Sequence, residues 1–239
     1  MSGTGEHVVR SFDQALGKLN ALLTDMGGLV ENQIAMATES ILRRDTTDVA
    51  AILQADKNVD ALEREVETSV IRLLALRQPM ADDLRHVVAA LKISAILERV
   101  GDYATNIAKR ATVLNQLEMP IKLAGLAHLS HQVQRSMQAI VTAIRTEDIP
   151  TIIQVWRGDQ AADDLYNAIF RELLTYMMED PRNITACTHL LFIAKNLERI
   201  GDQATNIAEI LHYAVLGEIL HETRPKGESS AYAMILPKE

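Results

Sequence analysis

A chain of 239 residues with 48% hydrophobic but only 4% aromatic content can bury a sizeable core and suits all-α packing by Leu, Ile, Ala and Met. Its formal charge of −8 argues against a general nucleic-acid binder, and the one cysteine, Cys187, excludes an intramolecular disulfide. The polar start, Met1 to Phe12, lacks an apolar signal region, and no run approaches the ~18 apolar residues of a membrane span, so a soluble chain is expected.

Residues 1–10 read as a polar, flexible leader. A first helix is predicted from Ser11 to Arg44, with Leu19, Leu22, Met26, Leu29 and Met36 on one stripe that Gln33 interrupts. Gly27-Gly28 inside it is a point of close helix approach or bending. Asp45 to Asp48 make a turn ending in an N-cap candidate, and a second helix follows to Arg77. The third begins near Asp82-Asp83 and runs to about Leu117. Glu118-Met119-Pro120 is the joint between two units, 11–119 and 120–217. The fourth helix spans about Ile121 to Arg145, and Asp148 caps the fifth, with Pro150 in its first turn. That helix stops before Asp180-Pro181; the sixth covers Ile184 to Leu216, and Gly217 begins its C-cap. Residues 218–239 form a tail with an apolar segment, Tyr232 to Leu236. Long helices joined by short connections predict an all-α fold of two tandem antiparallel three-helix bundles.

One stretch organises both units. Leu97-Glu98-Arg99-Val100-Gly101-Asp102-Tyr103-Ala104-Thr105-Asn106-Ile107-Ala108 returns one hundred residues later as Leu197 to Ala208, with ten of twelve positions identical. Val87, Leu91 and Ala95 step by four along one helix face, and the next steps on that line are Glu98 and Asp102. Two carboxylates thus fall where a core-facing stripe is expected to continue. Like charges at i,i+4 cost roughly 0.2–0.5 kcal/mol, and desolvation adds to that. Gly101 and Gly201 each forgo about 1 kcal/mol against Ala in a helix interior, which implies a neighbour in close approach.

Matching pairs lie upstream. Asp56 and Asp60 precede the first copy; Asp159 and Asp163 precede the second. In an antiparallel hairpin, residues equidistant from the turn lie level. Asp56 with Asp102 and Asp60 with Glu98 are symmetric about Pro79; Asp159 with Asp202 and Asp163 with Glu198 are symmetric about the Asp180–Pro181 junction. A proline at each mirror point ends the helices there. Four carboxylates are therefore expected to meet across each hairpin, and a cation is the economical compensation. An oxygen-only set suits Mg, Mn, Ca or ferric iron; zinc is possible but prefers nitrogen and sulfur. Thr105, Asn106, Thr205 and Asn206 are candidate additional oxygen ligands or hydrogen-bond partners, with helix packing as the alternative. Asp164 adds a third carboxylate in the second unit and leaves its ligand set open.

The remaining polar residues carry less. His128 and His131 read as an exposed pair, His86 and His189 as surface or packing residues, and Cys187 as a small buried one. Arg99 and Arg199 are assigned ion pairs with neighbouring helices. No P-loop, nucleophile elbow, thiol–imidazole pair or Glu-x-x-His di-iron pattern accompanies the motifs.

On the duplicated Glu-Arg-x-Gly-Asp-x-Ala-Thr-Asn-Ile-Ala, the Asp-x-x-x-Asp partners and Gln78-Pro79-Met80-Ala81-Asp82-Asp83-Leu84-Arg85, the sequence resembles the PhoU family from about residue 8 to 216. The resemblance implies two three-helix bundles in pseudo-twofold relation, with multinuclear iron or zinc clusters held by those carboxylates in some members. It also implies a cytoplasmic negative regulator, often a homodimer and not an enzyme. Such a regulator links the ATPase of a phosphate ABC transporter to a sensor histidine kinase and meets the inner membrane through the transporter. A di-metal helical enzyme and a metal-free helical adaptor stay open as alternatives.

Overall fold

The computed structural model of the chain describes residues 3–117 and 124–220. The first unit is α1 (Gly3–Leu42), α2 (Val49–Arg77) and α3 (Asp82–Leu114). The second is α4 (Ala124–Thr146), α5 (Ile149–Arg157), α6 (Asp159–Glu179), a 3₁₀ turn (Pro181–Asn183) and α7 (Ile184–Leu216). α1 starts at Gly3 rather than Ser11, so most of the expected leader is helical. The joint at 118–120 and the tail segment 232–236 lie outside the described residues.

The expected fifth helix is two. Gly158 donates its N–H to both Gln154 O and Val155 O, 3.1 Å each, and the axis restarts at Asp159. Glycine is a poor helix interior residue, so a break costs least there. The break lets Ile152 and Trp156 bury while Asp159, in the first turn of α6, turns inward. A carboxylate in a first turn is favoured by the helix dipole.

Local signals set most ends. Asp148 accepts from Thr151 N at 3.0 Å with Pro150 beside it, and Gly217 ends α7 at φ 72°. Asp48 makes no side-chain cap; instead Asp45 holds the turn by accepting from Thr47 N at 2.9 Å. Gln78, left-handed at φ 47°, closes α2 immediately before Pro79.

α3 and α7 form the spine. In each, buried residues recur at alternating steps of three and four: Ala90, Ile93, Leu97, Val100, Ala104, Ile107, Ala111 and Leu114, and likewise Leu190 through Ala214. That is a heptad seam. The two helices pack antiparallel: Arg85 Nε donates to Ala214 O at 3.3 Å, and at the other end the Arg110 guanidinium lies 4.2 Å from the Phe192 ring centroid. α1 and α2 cover α3 from the other sides, and α4, α5 and α6 do the same for α7. α1 also meets α4, where Ser130 donates to Thr38 Oγ1 at 2.9 Å. A Cβ on Gly27 would stand 2.5 Å from Val141 Cγ1, so the expected close approach of helices at Gly27-Gly28 is the α1–α4 contact between the units.

Two expected stripes are displaced. On α3, Leu91 is 37% exposed and Ala95 is exposed, so the line from Val87 to Asp102 runs along the edge of the packed face. On α1 Leu19, Leu22 and Met26 are buried as expected, but from there the buried line passes through Val30, Ile34, Ala37 and Ile41, and Leu29 and Met36 are half-buried. Helices covered from several sides have wide apolar faces, and a single step of four along such a face drifts off its centre.

Candidate functional site

The hairpin symmetry holds in the first unit. A Cβ on Gly101 would stand 3.4 Å from Asp56 Oδ1, which puts Asp56 level with the glycine beside Asp102. The same point is 3.2 Å from Gln33 Oε1. Glycine at 101 is what admits α1 and α2 together at this level.

Gln33 is the residue whose role the sequence reading left open. It is completely buried, its Nε2 donates to Ile52 O at 3.3 Å, and its Oε1 has no hydrogen-bond partner. The interruption of the α1 stripe at this position was the available signal. Buried Thr105 Oγ1 likewise makes no hydrogen bond of good geometry, although it sits beside Asp56. An unpaired buried oxygen costs about 1–3 kcal/mol, and Gln33 Oε1 is such an oxygen beside this set of carboxylates.

Glu63 also belongs here, three residues beyond Asp60 on α2. Burial raises the Glu98 carboxyl, and the charges of Asp102, Glu63, Asp60 and Asp56 all raise it further. Asp56 is raised by burial first and then by Asp102 and Asp60, while Thr105 and Gln33 pull it back. Glu63 is raised by burial, Glu67 and Asp60, with Arg64 opposing. These side chains spread over a range of exposure: Asp56, Asp60, Glu63 and Glu98 are half-buried and Asp102 is exposed. Among the described residues no group of three or more Asp, Glu, His or Cys is set to hold one ion as placed. Gathering a donor set requires rotamer changes at the exposed members.

The second unit is more buried and differently compensated. Asp159 is 6% exposed and accepts from Thr205 Oγ1 at 3.1 Å. Glu198 is 9% exposed, and Lys195 Nζ donates to its Oε1 at 2.6 Å. Burial raises the Glu198 carboxyl, Lys195 opposes, and Asp202 and Asp163 add to the rise. Glu198 Oε2 is buried without a hydrogen-bond partner. Lys195 Nζ also lies 5.0 Å from the Tyr166 ring centroid. Asp164 is exposed and accepts from Gln160 of its own helix at 2.9 Å, outside this group. Asn106 is exposed, and Asn206 donates to Gln203 at 3.3 Å.

The other polar assignments divide. His128 and His131 are exposed, and Cys187 is buried with its thiol pushed up by desolvation. His86 has a partner after all, with Nε2 3.4 Å from Glu147 Oε1, and His189 Nδ1 lies 3.5 Å from Arg110. Arg199 stacks 5.8 Å over Tyr103 across the α3–α7 seam; one of the two positions that differ between motif copies, Tyr103 against Gln203, serves that contact.

The PhoU domain is matched twice, at residues 23–111 and 126–211, with one duplicated motif in each match. The chain belongs to the PhoU family. A phosphate-specific transport system accessory protein PhoU homolog of Caulobacter vibrioides is 51% identical over 222 residues, covering 92% of this chain and 96% of the relative. The homolog of Zymomonas mobilis is 45% identical, covering 93% of each chain. The crystal structure of PhoU from Pseudomonas aeruginosa superposes with a TM-score of 0.84 at 36% identity, over 87% of this chain and 100% of that one. The phosphate transport system regulatory protein PhoU from Streptococcus pneumoniae gives 0.80 at 27% identity, over 87% and 99%. Within the family fold, the carboxylate hairpins are the chemically distinctive part of this chain. Their hard oxygen donors suit a hard cation, and in the first unit the orphaned Gln33 oxygen fits that reading. No helix among the described residues is long and apolar enough to cross a membrane.

Proposed function

We propose that this protein is a regulatory accessory of a phosphate-specific transport system. The observation that carries this is the relationship over nearly the whole chain to homologs so named. On this reading it acts in the cytoplasm as a homodimer, reaching the inner membrane through the transporter ATPase and passing phosphate status to a sensor histidine kinase as a negative signal. It acts by binding rather than by turnover, as the accessory and regulatory names of its relatives suggest.

Metal belongs to the same proposal. Asp56, Asp60, Glu98 and Asp102, with Asp159, Asp163, Glu198 and Asp202, are the ligand candidates, for iron or zinc clusters or for Mg or Mn. A metal bound there ties α2 to α3 by neutralising carboxylates that otherwise repel. Binding to the folded state alone stabilises it by about 2.7 kcal/mol at a hundredfold excess over Kd. Among the described residues no three-ligand group is preassembled, and this favours a metal-free adaptor as the second reading. Elemental analysis of untagged protein separates the two.

The regulatory reading is tested in a clean deletion strain without a paralogue. Phosphate-starvation promoters should be expressed in high phosphate, and the wild-type gene in trans should restore repression. Normal repression in the deletion strain overturns the reading.

A further inference from the structure

Superposing the two motif copies aligns positions that the chain has filled differently. Around Gly101 the facing side chains are Gln33, Asp56 and Val59; around Gly201 they are Val133 and Ala162. Gln33, with its unpartnered buried oxygen, therefore has an apolar counterpart, Val133. Carried along α2 and α6 in the register that pairs Asp60 with Asp163, Glu63 corresponds to Tyr166. Carried along α3 and α7, Ala95 corresponds to Lys195. All three exchanges have the same sense. The first unit adds a carboxylate and a neutral oxygen donor; the second removes both and adds an ammonium group.

We propose that the two carboxylate sites are not equivalent: the α2–α3 hairpin takes a hard divalent cation, whereas in the second unit Lys195 supplies the positive charge itself. This rests on the metal reading above. Lys195 Nζ reaches Glu198 Oε1 at 2.6 Å from one turn earlier on α7, and its side chain passes the Tyr166 ring. A divalent ion approaching Glu198 meets an ammonium already on one carboxylate oxygen. Only Oε2 of that residue remains buried and unbonded. In the first unit nothing equivalent stands in the way, because Ala95 has no charge and is exposed. The neighbouring charges that raise the Glu98 carboxyl are those of Asp102, Glu63, Asp60 and Asp56. The repeat has thus kept one fold twice with two ways of stabilising its central carboxylates, one by an exchangeable ion and one by a covalently attached cation. The second unit is the constant half, and the first is the half whose packing responds to metal supply.

The test uses the full-length, untagged protein stripped with EDTA and titrated with Mn²⁺, read by equilibrium dialysis with elemental analysis and by the EPR signal of free Mn²⁺. Ala95→Lys and Lys195→Ala are both at partly or fully exposed positions, and circular dichroism checks that each remains folded. Wild type should bind Mn²⁺ in one class of sites. Ala95→Lys should weaken that class at least about tenfold, since an ammonium a few ångströms from a divalent ion opposes it strongly. Lys195→Ala should add a second class. Wild-type Mn²⁺ binding of which Ala95→Lys weakens only about half, with Lys195→Ala without effect, overturns the non-equivalence and leaves the metal reading standing. Absence of Mn²⁺ binding by wild type, with none of Fe²⁺, Zn²⁺ and Mg²⁺ bound either, overturns both.

Discussion

Gly27 and Gly28 are adjacent in α1, yet replacing each by alanine should change stability in opposite directions. Alanine in a helix interior is worth about 1 kcal/mol over glycine. A Cβ on Gly28 meets nothing within 4 Å, so Gly28→Ala should keep that whole gain. A Cβ on Gly27 would lie 2.5 Å from Val141 Cγ1, 2.9 Å from Cγ2 and 3.3 Å from Cβ. Carbon atoms prefer separations of about 3.5–4.0 Å. Both methyls are in the way and a helical valine has one strongly preferred rotamer, so rotation about χ1 gives no escape. α4 must retreat from α1, and overpacking of this kind costs roughly 1–3 kcal/mol. The two variants should therefore differ by roughly 1–3 kcal/mol, or about 2–12 °C in Tm at 2–4 °C per kcal/mol for a chain of this size. Thermal melts followed by circular dichroism read this directly. Val141→Ala removes the offending methyls, so in that background Gly27→Ala should recover its gain, and the double-mutant cycle isolates the contact. If Gly27→Ala stabilises the wild-type background as much as Gly28→Ala does, the proposed closeness of the α1–α4 seam is wrong.

Two further outcomes follow from the sites. Asp56, Glu63, Glu98 and Glu198 have folded-state carboxyls raised above their ordinary values, so between the two values the native state holds more protons than the unfolded chain. The stability of EDTA-treated protein should therefore rise as pH falls from above the raised carboxyl values toward the ordinary carboxylate range, and it should turn over at lower pH. There the lowered carboxyls of Asp45, Asp148 and Asp180, which stabilise above their unfolded values, are lost in turn. Glu98→Gln should flatten the upper limb, and a Tm that falls steadily across that range would contradict the carboxylate clustering. Thr205→Val keeps the shape of a buried side chain but removes its 3.1 Å hydrogen bond to Asp159, so a loss of about 1–3 kcal/mol is expected in chemical denaturation. An unchanged midpoint would mean that Asp159 is held by its other contacts.

The amino-acid order alone determined the repeat, the proline mirror points and hence which carboxylates lie level across each hairpin. These are consequences of helix geometry, in which 1.5 Å of rise per residue converts sequence distance into height. It also determined the ends marked by local chemistry, such as the Asp148 cap and the left-handed Gly217, because those interactions span only a few residues. Tertiary structure decided the rest. Periodicity says which residues share a face of α3, but not whether α1, α2 or α7 covers it, so the line through Leu91 and Ala95 fell at an edge rather than in the core. Gly158 became a break because Trp156 and Asp159 both had to turn inward from one stretch of chain. Gln33 looked like a flaw in a stripe until α1 was placed against Gly101, and nothing in the order of residues marked Lys195 until its ammonium was placed on Glu198. Their meaning depends on what lies within a few ångströms across a helix interface, and that distance is set by packing, not by order along the chain.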